Sequence, residues 1–170
     1  MKKAMIILVC AIMFSCSQEQ RYTMQSPEID TVKTLFDLYA KGDIDGQKQY
    51  YADTAMIYQN TTEANPTSVE EMITQQKSEA GSFTNMSVEI GDDAIEMIKT
   101  DNGETWVNVW GTWKATMAAT GQTFEVPVHS TFQFVDGKIV REHGYWDNSP
   151  VMSAFMEYEA SQKAAADTLP

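Results

Sequence analysis

Three glycine turns set the architecture of the second half of this chain. Asp101-Asn102-Gly103, Thr120-Gly121 and Asp136-Gly137 each place a glycine where a tight turn needs a positive φ. The segments between them, 105–119, 122–135 and 138–147, alternate apolar and polar residues over strand lengths. Short turns between such segments allow only antiparallel neighbours. A fourth segment, 83–98, leads into the first turn and alternates in part, with Met86, Val88 and Ile90 on one side. Gly91-Asp92-Asp93 interrupts it and predicts a bulge or bend. The second half is therefore a long-stranded meander.

The first half carries helix signals. Ser26 is placed to cap, Pro27 suits a first helical position, and Ile29, Val32, Phe36 and Tyr39 recur on one face until Gly42. Asp43 predicts a second short helix through Tyr50 and Tyr51. A strand over 53–60 puts Ala55, Ile57 and Gln59 opposite Thr54, Met56 and Tyr58. Thr67-Ser68-Val69-Glu70 opens a third helix to about Ser78, and Asn148 is placed to cap a last one to about Ala160. The order predicts an α+β fold with helices against one face of a curved sheet.

The residues before this domain have a different character. Lys2 and Lys3 precede an apolar run over 4–14, too short to span a bilayer as a mature helix. The expected division is a leader over 1–15, a tether over 16–26, one domain over 27–160 and a frayed tail over 161–170. Ser15-Cys16 resembles the end of a bacterial lipobox, which implies a lipid on Cys16 and a place in the cell envelope, or plain secretion without the lipid. Contact with a membrane is expected through that anchor alone. The formal charge of −12 disfavours binding to nucleic acid. Two Cys and two His exclude a disulfide framework and a Cys/His zinc site, and the Met spacing does not support a methionine metal box. No metal or cofactor is expected.

Several segments resemble the SnoaL-like branch of the nuclear transport factor two-like superfamily. They are Gly42-Asp43-Ile44-Asp45, Tyr51-Ala52-Asp53, Met56-Ile57-Tyr58-Gln59-Asn60, Asp136-Gly137-Lys138-Ile139-Val140 and Tyr145-Trp146-Asp147. The resemblance runs from about Pro27 to Phe155. It implies a cone-shaped fold whose strongly bent, mainly antiparallel sheet wraps around the N-terminal helices and encloses a pocket. It also implies a last-strand acid in catalytic relatives at the position of Gly144. A second acid falls near Trp113, and a pocket histidine near Ser130. None of these residues can shuttle a proton as the relatives' residues would. Tyr58 and Asn60 match positions that hold a water in the epoxide hydrolase-like members.

Side-chain parity gives the candidate site. A two-residue turn at Thr120-Gly121 pairs Ala119 with Gln122, Trp113 with Val128 and Val109 with Phe132. The odd positions from Val107 to Met117 and the even ones from Phe124 to Phe134 then share an apolar face, assigned to the interior. A glycine bulge at Gly137 would add Val140, Glu142, Gly144 and Trp146; a simple turn would instead add Ile139, Arg141, His143, Tyr145 and Asp147. The bulge is preferred, because the alternative buries charge in an apolar core. The expected ligand wall is Tyr58, Val109, Trp113, Val128, Ser130, Phe132 and Trp146, suited to a small hydrophobic molecule. The outer face gathers Trp106, Trp110, His129, His143 and Tyr145, a candidate homodimer surface. The leading expectation is a binding domain without catalysis. An isomerase, cyclase or hydrolase would need Glu142, or His129, Tyr145 and Asp147 if the register slips by one residue. A third possibility is a homodimeric assembly module; Asp147 otherwise seats the last helix.

Overall fold

The computed structural model describes residues 21–167. The expected leader over 1–15, Cys16 and residues 168–170 lie outside the described residues. The order is β1 (Tyr22–Thr23), α1 (Pro27–Lys41), a 3-10 helix (Asp45–Tyr50), β2 (Tyr51–Gln59), α2 (Val69–Ala80), β3 (Phe83–Lys99), β4 (Thr105–Met117), β5 (Thr123–Val135), β6 (Lys138–Trp146) and α3 (Ser149–Asp167). The six strands form one sheet in the order β1-β3-β4-β5-β6-β2, antiparallel except where β2 runs parallel to β6. No described helix is long and apolar enough to cross a membrane.

Local chemistry sets the helix ends. Ser26 Oγ accepts from Ile29 N at 3.2 Å, and Gly42 closes α1 at φ 74°. Asp43 Oδ1 accepts from Gly46 N at 3.1 Å and steadies the 3-10 helix. Ser68 and Glu71 form the reciprocal capping box of α2. Asp147, rather than Asn148, supports the start of α3: its Oδ1 accepts from Ser149 N at 2.9 Å. The segment 161–167 continues α3 as helix instead of fraying, and part of the expected tether, Tyr22–Thr23, adds an edge strand to β3.

The meander keeps its predicted parity and changes its register. Trp113 pairs with Val126, Val109 with Ser130 and Val107 with Phe132. Each pairing is displaced by two residues, because the connection is a longer loop closed by Gly121 N–H donating to Met117 O at 2.8 Å. A two-residue displacement preserves faces, so Val107, Val109, Met117, Phe124, Phe132 and Phe134 are all buried. In β6 the bulge moves as well. Asp136 and Gly137 both have positive φ and make a tight turn that pairs Val135 with Lys138 and Phe134 with Ile139. The irregularity follows between Ile139 and Arg141. Ile139 thus enters the core in place of Val140, while Glu142 and Gly144 still face inward. The Gly91-Asp92-Asp93 segment is a bulge, with the β3–β4 register shifting between Ile90 and Ile95.

Two apolar clusters hold the cone together. One joins Ile29, Val32 and Leu35 of α1 to Ile57, Val107, Val109 and Ile139. The other packs Ala154 of α3 on Phe83, Ala115, Met117 and Phe124. Full burial of each large aliphatic side chain stabilises the fold by about 1.5–3 kcal/mol. The inner sheet face extends beyond what α1 covers, and a cavity remains between the two clusters.

Candidate functional site

The cavity has a volume of about 300 Å³. Aromatic rings are prominent in its wall: Phe36, Phe83, Trp113, Phe132, Trp146 and Phe155. Phe83 stands edge-on to Trp113 and to Phe155, with centroids 5.4 and 5.7 Å apart. The Trp113 indole N–H donates to Tyr39 Oη at 2.8 Å, which fixes that ring against α1.

The polar end lies where β2 meets β6. Glu142 is 6% exposed and lines the cavity. Tyr51 Oη donates to its Oε2 at 2.5 Å, and Gln59 Nε2 donates to its Oε1 at 3.3 Å. Burial pushes the Glu142 carboxyl above the usual glutamate range, against the pull of these two donors. Burial and the adjacent carboxyl push the Tyr51 phenol well up, so the phenolic proton stays on Tyr51. Nearby, Gln47 Nε2 donates to Gln76 Oε1 at 2.8 Å. At the rim Glu79, which water reaches, accepts from Gln75 Nε2 at 3.2 Å, and partial desolvation raises its carboxyl also.

A buried acid of this kind leaves a mark on stability. Its folded form prefers the proton more than the unfolded chain does. Stability therefore falls as pH rises from the ordinary glutamate range, about 4.3, through the raised value, and is level above it. Glu79 contributes in the same sense. Glu71 and Asp147, held low by hydrogen bonds from Ser68 and Ser149, act in the opposite sense and only below that range. Unfolding free energies measured by urea titration should decline over this window, and Glu142→Gln should flatten the decline. An unchanged slope in the variant would contradict the placement of Glu142.

Of the seven residues expected to wall the cavity, Trp113, Val128, Ser130, Phe132 and Trp146 line it, whereas Tyr58 and Val109 do not. Val109 is fully buried in the core beside α1. Tyr58 belongs to the other side of the sheet. It pairs with His143 in the parallel β2–β6 ladder and stacks on that imidazole at 4.7 Å, with the Arg141 guanidinium 5.9 Å from its ring centroid. Its neighbour Gln59 and, at the start of the strand, Tyr51 are the β2 residues that reach the polar end of the cavity. Asn60 orders backbone: its Oδ1 accepts from Trp146 N at 3.0 Å. The parallel pairing of β2 was not visible in the alternation of its residues, so Tyr51 and Gln59 were missed as partners of Glu142. A polar residue at an inward position, as Gln59 is, was the available signal.

The inward glycine of β6 is filled from within. A Cβ on Gly144 would lie 2.6 Å from Cζ3 of the Trp146 ring. The indole therefore occupies the space into which an acid at this position would project.

The outer face holds a ladder of rings. Trp110 stacks on His129 at 5.0 Å, His129 lies 6.5 Å from Tyr145, and Tyr145 lies 6.4 Å from His143. Trp106 reaches His143 at 6.3 Å. His129 Nδ1 is 2.9 Å from Val109 O, and Asp147 is engaged with Ser149, so the structure does not bring these groups together as a catalytic pair. Burial and Arg141 lower the His143 imidazole below its ordinary value, opposed by Glu63. Among the described residues no group of three His, Cys, Asp or Glu is placed to hold a metal ion.

A bent sheet closed by helices over an apolar cavity with a polar end defines the nuclear transport factor two-like, ketosteroid isomerase-like class of folds. Within it, this chain belongs to the SnoaL-like domain family, whose model matches residues 32–142. Solved structures agree on the fold. PrhC from Penicillium brasilianum superposes with a TM-score of 0.66 at 13% identity, covering 82% of this chain and 93% of that one. AclR from Streptomyces galilaeus, a candidate hydroxylase, gives 0.63 at 19% identity, covering 76% and 96%. A candidate SnoaL-like polyketide cyclase from Jannaschia sp. CCS1 gives 0.59 at 17% identity, covering 77% and 92%. A search of curated proteins finds no match.

Proposed function

We propose that this chain is an envelope-anchored domain that holds a small hydrophobic ligand in its cone cavity without transforming it. The observation that carries the reading is the ring-walled cavity in which Trp146 takes the space of an acid at position 144. Apolar walls with a few converging polar groups suit a compact ligand held by burial and oriented by one or two hydrogen bonds. The basic and apolar leader followed by Cys16 supports the anchored location. Quenching of Trp113 or Trp146 fluorescence, with a rise in melting temperature, by members of a small aromatic library is the expected result. A library that leaves both unchanged at saturating concentration would remove the reading's support.

A second reading rests on Glu142. A buried acid beside a tyrosine can accept or donate a proton, as an isomerase or cyclase of a hydrophobic substrate requires. Turnover that disappears in Glu142→Gln while ligand binding persists would favour it.

The outer ring ladder supports a homodimer through the sheet. Trp110 at one end of the ladder and Tyr145 within it are 48% and 49% exposed, and exposed aromatic residues of this kind are typical of an interface core. Trp110→Glu should convert the dimer to monomer in light scattering; an unchanged mass would count against this face.

A further inference from the structure

We infer that the cavity selects a hydrophobic amine, with its protonated nitrogen beside Glu142 and its apolar body against the aromatic walls. This rests on the ligand-binding reading above and adds the charge of the ligand to it. No Lys, Arg or His is among the described residues that line the cavity, yet two carboxyl groups, Glu142 and Glu79, do line it. The donors to Glu142 are the neutral Tyr51 and Gln59, one to each oxygen. A carboxylate has about four lone-pair sites, so acceptor capacity toward the cavity remains. A buried carboxylate without a cation is costly, and a ligand that brings the cation offsets that cost. The raised carboxyl of Glu142 agrees with the lack of a protein counter-ion.

The walls act in the same direction. The faces of Trp, Tyr and Phe rings attract a cation within about 6 Å. Trp113, Trp146, Phe36 and Phe132 line the same cavity as Glu142. An anionic ligand would meet two acidic groups and no basic one, in a chain already at −12. A neutral ligand gains the apolar burial and at most a hydrogen bond to the carboxyl, without the charge pairing.

A matched set separates these cases. 4-Phenylbutylamine, 4-phenylbutanol and 4-phenylbutyrate share one apolar body and differ at the head. Calorimetry on the full chain at neutral pH should show the amine binding at least about tenfold tighter than the alcohol, with the butyrate weakest. Glu142→Gln should bring the amine-to-alcohol ratio close to one, with circular dichroism confirming the fold. An alcohol or butyrate that binds as tightly as the amine, or a ratio unmoved in Glu142→Gln, overturns the inference and leaves the cavity reading standing. If none of the three binds, both are overturned.

Discussion

Gly144→Asp should be strongly destabilising, by about 3 kcal/mol or more, and should not create an active acid. The new Cβ would meet the Trp146 ring at 2.6 Å. Overpacking of a filled site costs about 1–3 kcal/mol, and a carboxylate introduced beside buried Glu142 adds a like charge in an apolar place. Trp146→Ala vacates the same volume. Gly144→Asp with Trp146→Ala should therefore cost at least about 1 kcal/mol less than the sum of the two single changes, because neighbours that compete for space are not additive. Urea unfolding of the four proteins in the cycle measures this coupling. Strict additivity would mean that the indole and the position-144 side chain do not share space.

Phe132→Ala should be about as severe, at about 3–5 kcal/mol. Phe132 is 2% exposed, meets Phe36 edge-on at 6.2 Å, and pairs with Val107 on one side and Glu142 on the other. It belongs to the core and to the cavity wall at once. Against a typical domain stability of about 5–15 kcal/mol the loss is a large fraction, and the enlarged cavity should lower ligand affinity in any protein that remains folded. A change in melting temperature of only a few degrees would place Phe132 outside the framework of the cone.

The contrast between what the residues foretold and what they did not has a physical origin. Strand alternation is a parity signal. It survives a displacement by two residues, so the inward set on β4 and β5 was readable although the loop after Met117 is longer than a tight turn. Helix ends are readable to within a residue because Ser26 and Gly42 satisfy backbone groups locally, while the capping box of α2 falls on Ser68 and Glu71, one residue beyond the expected Thr67–Glu70 pair. Tyr58 shows where such signals stop. Its place depends on which strand lies beside β2, and nothing within 51–59 encodes a partner more than eighty residues away. The same blindness hid Tyr51 and Gln59, whose role exists only once Glu142 is opposite. Glycine at 144 was visible as a missing acid; that Trp146 folds back over it required the side-chain positions.

The seam between β2 and β6 also bears on how the molecule comes together. The β3–β4, β4–β5 and β5–β6 junctions are hairpins, whose partners are near in sequence and form early, whereas this seam, like the short β1–β3 edge, is long-range and joins β2 to the last strand. Loop closure makes such pairing slow relative to hairpins. Tyr51, Gln59 and Glu142 meet only across it. During synthesis the N-terminal helices and β2 leave the ribosome long before β6, so Tyr51 and Gln59 wait for nearly the whole domain to emerge before Glu142 can dock between them and α3 can close the hollow.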